Sequence, residues 1–197
     1  MPDPSLASVA HVQALAGRTL DPGEQAKADA VLSKASALFR AASGQRFTPG
    51  ESTVRRKVNG GRVYLPQRPV VAVTQVVDDR GDAVPAALAG QWLSVFHDAH
   101  HRHRWGSSGF VTVTYTHGGQ VPDLAVTTVA EVAASVLGLD PAAAQGATQR
   151  SDTAGPYTAS RTYAEWAVGG RTRLSPEDLA VARSLRVVVP TAWVAPG

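Results

Sequence analysis

Residues 110–138 read FVTVTYTHGGQVPDLAVTTVAEVAASVLG and form the most informative stretch of this chain. Valine and tyrosine alternate with threonine from 111 to 116, which is typical of a strand with one apolar and one hydroxyl-bearing face. Gly118 and Gly119 end this strand. Pro122 and Asp123 suit a first helical turn, where a missing N–H costs nothing and a carboxylate meets exposed donors. The stretch therefore predicts a strand, a glycine turn and a helix over 123–137.

The composition excludes several classes of protein. The 197 residues are 44% hydrophobic and 18% charged, and they include no cysteine. Disulfides, thiolate nucleophiles and thiolate zinc sites are therefore excluded. The net charge of +3 is dispersed, with one tight basic run at 55–57, so the chain lacks the dense basic stripe of many nucleic-acid-binding domains. No apolar run is long enough for a membrane span and no signal-peptide pattern is found, so we expect a protein made and kept in a cytoplasm.

The part of the chain before residue 118 predicts helices followed by strands. Asp21, Pro22 and Glu24 form a helix start, and apolar residues then recur at helical spacing to Ala42 before Gly44 ends the run. Short strands are predicted between about 53 and 117, with a hairpin turn at 59–60 and a paired arrangement of 92–96 with 110–116.

The part after residue 139 is poor in large apolar side chains. Residues 140–170 are rich in Ala, Gly, Thr and Ser, and 151–163 predict a weak hairpin around Gly155 and Pro156. Ser175, Pro176 and Asp178 predict the start of a short capped helix over 176–186. The sequence thus predicts an α+β fold. A globular domain over 1–139 has helices packed on a small antiparallel β region, and an extended C-terminal arm over 140–197 carries the last helix.

Several stretches resemble, in order, the head-to-tail adaptor (head-completion or connector) family of long-tailed bacteriophages. They are a Leu-x-Gly-Arg-x-Leu turn at 15–20, ASGQRF at 42–47, LPQRPVVAV at 65–73, YTHG at 115–118 before VPDL at 121–124, and LSPEDL at 174–179. Each stretch is short and made of common residues, and their order is more specific than any one of them. Together they touch most of the chain from residue 10 to 186. The histidine-rich segment 97–104 and the alanines at 142–144 depart from the family pattern.

This resemblance implies a structural protein of the virion neck, assembled in the host cytoplasm, rather than an enzyme. Members of the family dock as a ring, dodecameric in the family, under the portal protein, and they link the DNA-filled head to the tail or the next neck protein. The implied partners are the portal, the next neck or tail protein, further copies of this chain and the genomic double-stranded DNA in the channel. No cofactor and no membrane are implied. Another neck or tail-completion protein is an alternative.

The segment 97–103 offers an alternative of a different class, a metal-dependent hydrolase. His97, Asp98 and His101 match a His-[Glu/Asp]-x-x-His pattern, which on a helix could hold zinc through the two histidines. A predicted strand before it and a glycine-rich run after it leave no room for that helix, and Asp98 is shorter than the usual glutamate. No third ligand stands in a recognisable setting. We therefore expect no metal, no cofactor and no catalytic residue.

Two groups of residues are candidate contacts in the neck. Arg55 and Lys57 share one face of a predicted strand and could contact phosphates of DNA in the channel, although such an exposed hairpin edge also simply resists aggregation. Arg102 and Arg104 could serve the same end. Aromatic and apolar side chains of the arm are candidate contacts with a partner or a neighbouring subunit; they are Tyr157, Tyr163, Trp166, Leu179 and Trp193.

Overall fold

The structure is a computed structural model that describes residues 3–89, 92–96, 109–139, 147–154, 157–162 and 171–187. The helices of this part of the chain are α1 (Val9–Ala16), α2 (Pro22–Ser43), α3 (Asp123–Leu137) and α4 (Pro176–Ser184). Its strands are β1 (Gly50–Lys57), β2 (Arg62–Tyr64), β3 (Val70–Asp78), β4 (Ala86–Ala89), β5 (Trp92–Val95), β6 (Phe110–His117), β7 (Gln149–Ala154) and β8 (Tyr157–Thr162). All strand pairs are antiparallel, and the predicted α+β class is confirmed.

The chain divides into two compact units. The first unit holds the four helices, and its described residues belong to Met1–Ser43 and Pro122–Leu185. The second unit holds β1 to β6, and its main part is Gly44–Val121. The chain therefore passes from one unit to the other after Ser43 and returns after Val121.

In the first unit, α2 begins as the sequence predicts. The backbone N–H of Glu24 donates to Asp21 Oδ1 at 2.8 Å, and the backbone N–H of Asp21 donates to Glu24 Oε2 at 3.1 Å. This reciprocal pair satisfies two donors that a helix start otherwise leaves open. Arg18 adds a two-pronged ion pair to the same carboxylate, and these hydrogen bonds lower the pKa of Glu24 to about 2.

The helices of the first unit pack around α2 and α3. These two helices contact each other, α1 contacts both, and α4 contacts both. Their interface is apolar and small-residue-rich, and its largest fully buried side chains are Phe39 and Leu32 of α2. The sequence assigns α4 to the extended arm, whereas in the structure α4 packs on α2 and α3 with Ala182 fully buried. The division of the chain at residue 139 stays a prediction.

The second unit consists of two three-stranded sheets that share one core. Their strand orders are β1-β6-β3 and β2-β5-β4. The inward residues of both sheets form a single apolar cluster; its buried members are Val58, Val63, Leu65, Val76, Val84, Leu93, Val95, Val111, Val113 and Tyr115. The alternation predicted for 110–116 is confirmed, since the valines and Tyr115 are buried while the threonines are half-exposed.

The predicted pairing of 92–96 with 110–116 is wrong. β5 pairs with β2 and β4, whereas β6 is the central strand between β1 and β3. The predicted turn after β1 also leads into the other sheet rather than back along the same one. The shared core explains both differences. When successive strands belong to different sheets, their apolar side chains cover the core from both sheets.

Among the described strands, β7 and β8 pair only with each other. This confirms the predicted hairpin, whose turn at 155–156 lies outside the described residues. Every hairpin side chain whose burial the structure describes is exposed, and the hairpin makes no extensive contact with another described helix or strand. An isolated two-stranded hairpin is marginally stable in water.

Candidate functional site

Three separate segments meet at one end of the second unit. They are residues 44–47, 65–70 and 115–119, and each belongs to a stretch on which the family resemblance depends. We call this region the junction. The first and last of these segments adjoin the points where the chain enters and leaves the second unit.

Two glutamines hold the first two segments of the junction together. Gln45 donates from Nε2 to the carbonyl of Pro66 and accepts the backbone N–H of Arg68 at 3.0 Å. Gln67 reciprocates, because it accepts the backbone N–H of Arg46 at 2.7 Å and donates to the carbonyl of Gly44 at 3.1 Å. A glutamine side chain carries both a donor and an acceptor, so each one replaces a strand-like backbone pair between segments about twenty residues apart.

The third segment is held by Tyr115 and Gly118. The hydroxyl of the buried Tyr115 accepts the backbone N–H of Gln67 at 3.0 Å, and burial raises the pKa of this phenol. Gly118 has a φ of +94° and donates its N–H to the carbonyl of Pro69 at 2.9 Å. A Cβ at this position would lie 2.3 Å from the carbonyl oxygen of Thr48, so only glycine fits here.

His117, the last residue of β6, is a buried side chain of the third segment of the junction. Its side chain is 2% exposed, and Nε2 lies 2.8 Å from Ser52 Oγ. Nδ1 is buried without a hydrogen-bond partner among the described residues. Burial, and then the positive charge of Arg46, lower the pKa of His117, so the ring is neutral at pH 7.

The surroundings of His117 assign its tautomer and limit its chemistry. A proton on Nδ1 would bury an unpaired N–H donor, which costs more than an unpaired acceptor. We therefore assign the proton to Nε2, which donates to Ser52 Oγ. In this state the ring cannot accept the proton of the serine hydroxyl, so the pair does not form an activated nucleophile. The junction is an arrangement for holding chain segments in place.

Arg55, one of the two described candidate contacts with DNA, forms an ion pair within the chain. Its guanidinium donates two hydrogen bonds to Asp79, at 2.9 and 3.0 Å, and lies 4.1 Å from the ring centroid of Phe110. Both groups are exposed, and the hydrogen bonds of this pair lower the pKa of Asp79. Lys57 is exposed on the same strand face, which Glu51 shares. Positive and negative charges thus balance on this face.

The remaining basic and histidine candidates lie outside the described residues. These are Arg102 and Arg104, proposed for DNA, and His97 and His101 of the hydrolase alternative. Within the part of the chain that the structure describes, no group of three His, Asp or Glu side chains could hold a metal ion.

The candidate partner contacts are described at two positions. Tyr157 is 79% exposed at the start of β8, which makes it the most exposed of the large apolar side chains of the described chain. Leu179 is half-buried in α4. Tyr163, Trp166 and Trp193 lie outside the described residues.

An open groove runs between α3 and the start of α4. Its volume is about 390 Å³, and it is lined by Glu131, Val132, Ser135 and residues 175–178. The backbone N–H of Ser175 donates to Asp178 Oδ2 and that of Asp178 donates to Ser175 Oγ, so the predicted capping box of α4 is confirmed. Glu131 and Glu177 have no charged partner among the described residues, which leaves this groove acidic.

Sequence reasoning missed most of the side chains that hold the junction. Gln45 and Gln67 stand in the quoted stretches, but no spacing pattern links an amide to a segment twenty residues away. The sequence around Asp79 predicts only a turn. One signal in the sequence could have pointed to His117. This residue continues the alternation of Val113 and Tyr115, so it is expected on the inward face of the strand.

Comparison with known proteins finds no protein-family model that matches this chain and no curated protein with significant sequence similarity to it. Among the residues that the structure describes, none of the helices is both long and apolar enough to cross a membrane.

Proposed function

We propose that this chain is a head-to-tail adaptor of a long-tailed bacteriophage. In this role it docks as a ring under the portal and links the DNA-filled head to the tail or the next neck protein. The observation that carries the proposal is the junction. Three of the stretches that resemble the family are far apart in sequence, yet they meet and hydrogen-bond to one another through Gln45, Gln67 and Tyr115. Residues that combine in this way act as one structural unit. This supports the view that the sequence resemblance reflects a similar fold rather than chance matches between short stretches.

The function of such a protein is assembly rather than turnover. The described side chains of the hairpin β7–β8 are exposed, so the entropy lost on ordering the hairpin is offset when another surface covers it. We assign it to contact with a neighbouring subunit or the portal, and Tyr157 is its anchor because a largely exposed aromatic side chain gains most from burial. The virion neck, assembled in the host cytoplasm, is the proposed location.

Docking on heads tests this proposal directly. Purified protein is mixed with DNA-filled heads that carry the portal but lack neck proteins, and the vertices are imaged by electron microscopy. We expect an added ring at the portal vertex and none on heads without portal. Absence of binding to portal-bearing heads would overturn the adaptor assignment, and a ring that attaches only after another neck protein would assign the chain to a later position in the neck.

Replacement of the hairpin separates docking from folding. A variant with residues 149–162 exchanged for a Gly/Ser linker of equal length is expected to change the free energy of unfolding by less than about 0.5 kcal/mol, because the hairpin buries little of its own chain. The same variant is expected to lose docking on portal-bearing heads in co-sedimentation. Tyr157→Ser is the matched smaller change and should weaken docking with the hairpin intact. Undiminished docking of the linker variant would contradict this assignment.

In the second unit, a basic side chain that already pairs with a carboxylate is expected to contribute less to DNA binding than an unpaired one. Each phosphate contact contributes about −0.9 to the slope of log K against log salt concentration. We expect Lys57→Ala to lose about one contact and Arg55→Ala to lose almost none, since Asp79 already occupies that guanidinium. Asp79→Asn should release Arg55 and steepen the slope.

Titration of labelled duplex DNA at several salt concentrations measures these slopes. Lys34→Ala, an exposed lysine of α2, is the matched control and should leave the slope unchanged. Equal effects of Arg55→Ala and Lys57→Ala would show that the pair with Asp79 does not hold in solution.

A further inference from the structure

His117 is a buried ionisable side chain that the proposed function leaves unused. Of the two histidines that the structure describes, His11 is exposed and His117 is 2% exposed. The ring of His117 stands 5.6 Å from that of Tyr115 and makes one hydrogen bond, to Ser52. Its second nitrogen has no partner among the described residues, which is unusual for a buried polar atom and calls for an explanation.

The position of His117 connects three strands. It is the last residue of the central strand β6, and its register partners are Gly50, the first residue of β1, and Val70, the first residue of β3. The next residue, Gly118, donates its N–H to the carbonyl of Pro69. Movement of this ring would therefore disturb the ends of β1 and β3 together with the three segments of the junction.

Among the described residues, none of the charged groups around His117 provides a counterion for a protonated ring. On its own strand the neighbouring titratable group is the phenol of Tyr115, which is neutral and accepts the N–H of Gln67. From β1 the contact is the serine hydroxyl of Ser52. From the segment before β1 the charged group is Arg46, which is positive, and no carboxylate contributes to the shifted pKa of His117.

Protonation would therefore place a positive charge and an unpaired N–H in the interior of the second unit. Both the loss of hydration and the charge of Arg46 oppose it. Within the described part of the chain, the apolar cluster of the two sheets holds one other titratable group, the phenol of Tyr115, which stays neutral in this pH range. His117 lies at the end of the sheet, so opening of the junction alone would let water reach Nδ1 and hydrate the charged ring.

We propose that His117 is a proton-operated latch, whose protonation opens the junction while the rest of the β core stays closed. Two of the segments that open, 44–47 and 115–119, adjoin the points where the chain enters and leaves the second unit. The latch belongs to the second unit by itself and does not depend on the adaptor function.

The direction and size of the effect follow from linkage. In the open state the imidazole has its ordinary pKa of about 6.5, and in the closed state its pKa is lower. Closure is therefore favoured fully above pH 6.5 and is weakened as the pH falls below that value toward the closed-state pKa. If the closed state takes up no proton, the opening constant rises about 10-fold at pH 5.5 and about 30-fold at pH 5.0 relative to pH 7.5.

Amide hydrogen exchange of the full chain tests the latch. Peptides covering 44–52, 65–73 and 114–120 are compared at pH 7.5 and 5.5 after correction for the intrinsic exchange rate. We expect protection in these three segments to fall together, by up to about 10-fold, whereas the rest of the β core and α2 keep their protection. Unchanged protection of the three segments would overturn the proposal.

Three variants assign the response to the imidazole. His117→Gln keeps a donor for Ser52 but cannot be protonated, so the pH response should disappear. Ser52→Ala should lower protection at both pH values and keep the response, and His11→Gln, at the exposed histidine, should behave as wild type. A pH response that persists in His117→Gln would refute the latch.

A second measurement decides the matter if His117→Gln does not fold. The ¹⁵N signals of the wild-type ring should show a neutral imidazole with its proton on Nε2 at pH 7.5. On acidification they should give way to the signals of an open state. A ring that titrates near pH 6.5 while the three segments remain protected would refute the proposal.

Discussion

Gly118→Ala is expected to destabilise the second unit by about 3 kcal/mol or more, for two separate reasons. A non-glycine residue at a φ of +94° costs about 1–2 kcal/mol. The added Cβ would also lie 2.3 Å from the carbonyl oxygen of Thr48 and 2.6 Å from the backbone nitrogen of Pro49. Backbone atoms cannot rotate away as the end of a side chain can, so the junction must move, and such overpacking costs about 1–3 kcal/mol more.

Two other glycines separate these contributions. Gly81 has a φ of +91°, and a Cβ added there would meet no atom within 4 Å, so Gly81→Ala should show the conformational cost alone. Gly119 lies next to Gly118, but its Cβ would stand 3.6 Å from Pro69 Cγ, an ordinary contact, so Gly119→Ala should be mild. The free energy of unfolding of all three variants is measured by urea unfolding, and calorimetry and amide exchange provide independent checks. If Gly118→Ala were no more harmful than Gly81→Ala, the close approach of Thr48 would not exist in solution.

Phe39→Ala is expected to have the largest effect on the first unit, about 3–5 kcal/mol. Phe39 is fully buried in α2, on the face that packs against the other helices, and its removal leaves a cavity among side chains that are already close-packed. That cost is a large fraction of the stability of a typical domain. We expect the helices to lose exchange protection and the unfolding midpoint to fall steeply.

Leu124→Ala is the control for this loss. Leu124 belongs to α3 of the same unit but is 49% exposed, so its truncation should cost less than about 1 kcal/mol. A Phe39→Ala variant as stable as Leu124→Ala would mean that α2 does not pack through this face.

Local signals in the sequence predicted the elements of this fold. Asp21 and Glu24 predicted the start of α2 because a capping pair lies within one helical turn, and Ser175 with Asp178 did the same for α4. The alternation of 110–116 predicted β6 and its buried face, because the strand period is fixed by the backbone. In each case the physical cause acts over a few residues and can be read in a short window.

Which elements meet depends on packing between distant parts of the chain. β4 has the sequence AALA, which has little intrinsic preference for a strand and is one only because β5 pairs with it. The sequence predicts that the strands on either side of 97–108 pair, yet they belong to different sheets, because a shared apolar core stabilises both sheets at once.

The candidate site shows the same division. Local patterns in the sequence predicted the glycine turn after β6 and the apolar face of Val111, Val113 and Tyr115, whose inward register His117 continues. Long-range packing brought Gln45 to Pro66, Ser52 to His117 and Asp79 to Arg55. These contacts join residues 21 to 65 positions apart, and a hydrogen bond at that separation exists only after the chain entropy of bringing its two ends together has been offset by the rest of the fold.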